Sequence, residues 1–100
     1  MEREKKEFKN SAHDVNRIGI VGIFIYKNES IHIVNEILKS FCKKIRGRMG
    51  LPMENFNVIS VIFEGSTDEV GAFTGKLGKI SGVEVRSFLS KKIKLKGDKK

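Results

Sequence analysis

The spacing of hydrophobic and polar positions changes several times along the chain, and each change marks a new element. Arg17 to Tyr26 (RIGIVGIFIY) alternates as a strand, and both of its faces are apolar. Lys27-Asn28-Glu29-Ser30 is a turn that can cap the segment that follows. Ile31 to Lys44 switches to helical spacing, with Ile31, Val34, Leu38 and Phe41 on one face and Ile37 and Cys42 at its borders. Lys39, Lys43 and Lys44 gather in its last turns, where cations suit the helix dipole. Ile45 to Pro52 contains two glycines and a proline, so it predicts an irregular, bent or edge strand. After the connection Met53-Glu54-Asn55-Phe56, Asn57 to Glu64 alternates again and is nearly apolar on both sides.

A second helix opens at Ser66. Glu69, three residues on, can reach back to complete a capping box, and Asp68 adds negative charge at the positive end of the dipole. Val70, Phe73, Leu77 and Ile80 form the stripe that must face the core. Gly71, Gly75 and Gly78 fall within a narrow stripe on nearly the opposite side, at about 100° of rotation per residue. Each costs roughly 0.8–1 kcal/mol relative to alanine. Glycine merely tolerated on a short helix is one reading; bare helix against another backbone or a ligand is the sharper one, and we prefer it. Ser81-Gly82 ends the helix with a left-handed turn, and Val83 to Leu89 reads as a strand.

The resulting order, β-α-β-β-α-β, predicts an α+β fold of the ferredoxin-like kind: a four-stranded antiparallel sheet with two helices on one face. One face of such a sheet has no helices, yet the strands at 17–26 and 57–64 carry apolar residues on both sides. At roughly 25 cal/mol per Å² of apolar surface, the uncovered side favours association. Pairing of sheets between identical chains about a twofold axis is the economical solution. The sequence therefore predicts a homo-oligomer, as a dimer or a dimer of dimers.

Length sets the scale of this picture. One hundred residues suffice for one domain, here 17–90, with an arm at 1–16 and a tail at 91–100. The arm alternates charge and reads as frayed or disordered. No apolar run approaches the ~18 residues needed to cross a bilayer, so no membrane partner is expected. The opening Met1-Glu2-Arg3-Glu4-Lys5-Lys6-Glu7 lacks the apolar stretch of a secretion signal. A lone cysteine, Cys42, has no partner for an internal disulfide, and a cytoplasmic location is the expectation.

Charge changes the picture less than its total suggests. The net +8 divides into zero for residues 1–16, +3 for 17–90 and +5 for 91–100. A solvated, disordered lysine tail accounts for most of the excess. Weak contact with DNA or other polyanions through that tail, assisted by Arg46, Arg48 and Arg86, is the functional alternative.

Candidate chemistry is sparse. His13, His32 and Cys42 are the only nitrogen or sulfur ligands of note, at spacings that match no metal motif. His32 reads as a helix surface residue and Cys42 as a small, partly buried apolar one. The expectation is no metal and no cofactor. No serine or cysteine has a histidine and carboxylate in a recognisable arrangement, so no enzyme is expected. Gly47-Arg48-Met49-Gly50 can present backbone amides and the arginines Arg46 and Arg48 to an anion, or simply bend an edge strand.

Gly47-Arg48-Met49-Gly50-Leu51-Pro52, together with the glycine-rich helix Asp68 to Ser81 and the following Gly82-Val83, resembles the iron-only hydrogenase system regulator family. The resemblance covers about residues 17–90. It implies an ACT-like, ferredoxin-like oligomer, similar to the C-terminal domain of nickel-responsive transcription factors, with a role in controlling the hydrogenase system. The histidine and cysteine set of those factors is not matched here, so the resemblance carries over no nickel site. Nor can the sixteen residues of the arm supply their N-terminal DNA-binding domain.

The combined expectation is a non-enzymatic regulatory module that binds a small-molecule effector or a partner protein between subunits. The residues expected at that ligand or subunit contact are Gly71, Thr74, Gly75, Gly78, Lys79, Arg46 and Arg48. The nucleic-acid-binding tail is the competing reading.

Overall fold

The computed structural model describes residues 16–91. The elements follow the predicted order: β1 (Arg17–Ile25), α1 (Ile31–Ser40), β2 (Ile45–Pro52), β3 (Asn57–Gly65), α2 (Thr67–Gly78) and β4 (Val83–Leu89). A short turn of 3₁₀-helix, Asn28–Ser30, leads into α1. The arm and the tail lie outside the described residues, apart from Asn16 and Lys91 at their inner ends. No helix among the described residues is long and apolar enough to cross a membrane.

The strands form one sheet in the order β2-β3-β1-β4, with each neighbouring pair antiparallel. With both helices on one face, this is the ferredoxin-like arrangement. Register explains which side chains the helices cover. Val21, Ile23 and Ile25 of β1 sit beside Val61, Ile59 and Asn57 of β3, and the first two pairs are fully or nearly buried. Val34 and Leu38 of α1 and Val70, Phe73 and Leu77 of α2 close over them. Phe41, Phe63 and Phe73 form an aromatic cluster at the centre, with ring centroids 4.7–6.0 Å apart.

The second helix begins as its sequence requires. Ser66 accepts from the Glu69 backbone N–H, while Glu69 accepts from the Ser66 N–H at 2.8 Å, so both halves of the capping box form. At the far end the helix stops at Gly78, with Lys79 as its C-cap, short of the expected close at Ser81-Gly82; Gly82 takes φ 75° in the turn that enters β4. A β-carbon there would also fall 2.5 Å from Lys27 Cγ, so conformation and space both favour glycine.

Three further local expectations need correction. The first helix ends at Ser40 and not at Lys44, because residues 41–44 coil into tight turns that deliver Phe41 to the aromatic cluster. Ser30 sits at the start of α1 but its side chain does not cap it. It donates instead to the Ser81 carbonyl at 2.6 Å, and Lys27 Nζ reaches Ser81 Oγ at 2.8 Å, so the turn after β1 is pinned to the turn before β4. Cys42, expected to be partly buried, is exposed in those same turns. His32 is exposed on α1 as expected.

Candidate functional site

Among the described residues, the side of the sheet away from the helices has no element packed on it. Across the strands it carries Gly47, Ile62, Ile20 and Phe88 in one row, Met49, Ser60, Gly22 and Arg86 in the next, and Leu51, Val58, Phe24 and Glu84 in a third. Two apolar rows thus flank a row of small and polar groups. Phe88 is 78% exposed, Met49 68%, Leu51 55% and Ile20 50%. Those four side chains alone leave on the order of 500 Å² in contact with water, at the scale of the largest apolar patches that monomers carry. Phe24 folds over the gap at Gly22, its ring 3.7 Å from where a β-carbon would stand.

Charges at the margins of this face are paired. Arg46 Nε donates to Glu64 Oε1 at 2.8 Å on one side, and Arg86 binds Glu84 at 2.9 Å on the other. Tyr26 Oη donates to Glu84 Oε1 at 3.2 Å and leans on Phe56. Partial desolvation, together with that bond to a carboxylate, holds the Tyr26 phenol above its ordinary range. A strongly basic chain therefore presents a sheet face whose described charges balance.

The expected contact residues fall on separate surfaces. Gly71, Gly75 and Gly78 line the outer side of α2, with no heavy atom within 4 Å of a β-carbon placed at any of them. Lys79 is exposed at the end of that helix. Thr74 spends its hydroxyl within the helix, donating to the carbonyls of Val70 and Gly71. The two arginines lie on β2, at the opposite edge of the sheet from β4, and point to opposite faces. Arg46 occupies a bulge, a break in register between Ile45 and Gly47, and reaches Glu64. Arg48, opposite Val61, turns to the helix side and donates from Nη2 to Asn35 Oδ1 at 3.2 Å.

A groove of about 230 Å³ runs between α1 and β2 beside Arg48, and alternation alone does not reveal it. A second hollow, of about 290 Å³, lies where α1 gives way to β2, beside Cys42, Lys43 and Lys44. Lys44 Nζ there meets Glu69 Oε2 at 3.1 Å. The Ser66 backbone N–H holds the Glu69 carboxyl below the usual carboxylate range, and Lys44 adds to the effect. No three metal-ligating side chains converge among the described residues.

A family model described as "TM1266-like: Iron-only hydrogenase system regulator, putative" matches residues 17–87, which is the whole sheet except the end of β4. The chain belongs to the TM1266-like family. The solved structure of the uncharacterized protein TM1266 from Thermotoga maritima is 35% identical, with a TM-score of 0.72. The similarity covers 76% of this chain and 99% of that one. A de novo designed protein, Foldit4, matches in fold alone, at 13% identity and a TM-score of 0.54 over 78% of this chain and 99% of the designed one. No curated protein matches the chain. The TM1266-like match takes in β2 with both arginines, the whole of α2, and all but the last two residues of β4.

Proposed function

We propose that this chain is a non-enzymatic regulatory module of the iron-only hydrogenase system, acting in the cytoplasm as a homo-oligomer that responds to a small effector or a partner protein. Membership of the TM1266-like family supports the regulatory role. The observation that carries the rest is the uncovered sheet face, with Ile20, Met49, Leu51 and Phe88 half or more exposed.

A second copy of the chain is the occupant we assign to that face. A standard interface buries about 800 Å² per partner. The four most exposed side chains supply more than half of that before the half-buried Ile18, Phe24, Val58 and Ile62 are counted. The paired charges Arg46–Glu64 and Arg86–Glu84 let an identical face approach without net repulsion. A nucleic acid would instead select a face with excess positive charge. The glycine stripe of α2 is the second contact surface in this reading, and Gly75→Leu tests it by its effect on assembly size.

Sedimentation of the full chain at micromolar concentration tests the proposal. The expected result is a dimer or a multiple of it, dispersed by charge placed at Ile20. Monomers alone would remove the physical basis of the reading.

A further inference from the structure

We infer that the groove between α1 and β2 binds a small aliphatic monocarboxylate anchored by Arg48, an assignment that rests on the reading of this chain as an effector-responsive module. The bulge at Arg46 is the first support. Unbroken alternation from Ile45, which faces Phe63, would put Arg48 opposite Ser60 on the open face of the sheet. The extra residue instead sets Arg48 opposite the buried Val61 and turns it toward α1. Bulges re-aim side chains in this way beside functional sites.

The second support is the state of the guanidinium. Among the described residues, the one side chain bonded to Arg48 is the neutral amide of Asn35, at 3.2 Å, and no carboxylate lines the groove. Its remaining N–H donors and its charge suit the planar, two-oxygen geometry of a carboxylate. The lack of a lining acid also specifies what the ligand lacks. An α-ammonium group would find no counter-charge, so an amino acid is disfavoured against the acid of the same skeleton.

The third support is the shape and lining. Ile25, Ile31 and Ile59 give the groove an apolar floor, and Gly50, on the helix side of β2, leaves it open, with nothing within 4 Å of the missing β-carbon. From Arg48 onward every residue of β2 is exposed, so α1 leaves this strip uncovered. At about 230 Å³ the space is below the usual range for drug-sized ligands. It suits a branched chain of about four to six carbons.

Amide NMR titrations of the full chain distinguish these features. The probes are isocaproate, leucine (which adds the ammonium), isohexanol (which removes the charge) and inorganic phosphate. Isocaproate is expected to shift the signals of Asn35, Arg48 and Gly50 and to bind at least about ten-fold more tightly than the other three, a difference of about 1.4 kcal/mol. Arg48→Gln should abolish that preference while leaving the remaining spectrum folded, and Arg46→Gln should leave it intact. Failure of isocaproate to perturb the groove at millimolar concentration would overturn the assignment. So would equal binding of leucine or phosphate, or unchanged binding by Arg48→Gln. Sedimentation of the same samples separates the two readings: an intact oligomer without isocaproate binding refutes the groove alone, whereas a monomeric wild type refutes the assembly.

Discussion

The two faces of the sheet are made by the same strands from the same residue types, yet they end in opposite environments. On β1, Val21, Ile23 and Ile25 are no more than 1% exposed, while Ile20, immediately before them in sequence, is 50% exposed. Isoleucine, valine and phenylalanine occur on both sides. The difference lies in what is packed on top: two helices suffice for one face only. Alternation therefore measures the total apolar load of a strand. The number of helices limits how much of that load one chain can bury, and the remainder belongs to whatever docks on it.

Substitutions can break this contrast from either side. The largest loss is expected at the covered face, where the Phe73 ring lies 4.7 Å from that of Phe63 and 5.1 Å from that of Phe41. Phe73→Ala should cost about 3–5 kcal/mol of folding stability in urea titrations. Phe88→Ser combined with Ile20→Ser should act on the other face. It should weaken self-association at least about 100-fold, or ~2.7 kcal/mol, while far-ultraviolet circular dichroism stays that of the folded chain. Equal sedimentation of variant and wild type would show that the open face takes no part in assembly.

Smaller effects sharpen the comparison by perturbing the helices that make one face covered. Ser66→Ala removes the capping box of α2 and should lower stability by about 1 kcal/mol, measured by thermal unfolding. Glu69 adds a pH dependence. Its carboxyl is held below its ordinary range by the Ser66 N–H and by Lys44, so its contribution is fully present above the unfolded carboxylate range. That contribution is lost as pH falls through the depressed folded value. Glu69→Gln should flatten the acid limb of a stability–pH curve slightly, because the carboxylate is 41% exposed and screened by solvent.

Much of the fold is legible in the chain because it rests on local signals. Ser66 and Glu69 announce the second helix, Gly82 marks the turn before the last strand, and the alternation of 17–25 and 57–65 defines the central strands. What cannot be read locally depends on distant partners. Ser30 forgoes its own helix for a carbonyl fifty-one residues away, and no spacing rule contains that choice. Cys42 lies outside the core because Phe41 takes the inward position next to it. Arg46 and Arg48, two apart in a strand, should share a face. The register break separates them and opens the groove beside Arg48, which only the paired strand β3 reveals.

That break also leaves β2 one residue longer than the stretch of β3 with which it pairs. Removing Arg46 would restore strict pairing with Ile45 still opposite Phe63 and Gly47 still opposite Ile62, so everything downstream keeps its face, whereas removing Met49 would turn Leu51 beneath α1 and Gly50 onto the open face. The hairpin at 53–56, exposed except for Phe56, can absorb such a deletion without that reversal. A scan of single-codon deletions should therefore find β2 tolerant at Arg46, unforgiving at Met49, and the chain tolerant again a few residues on in the hairpin.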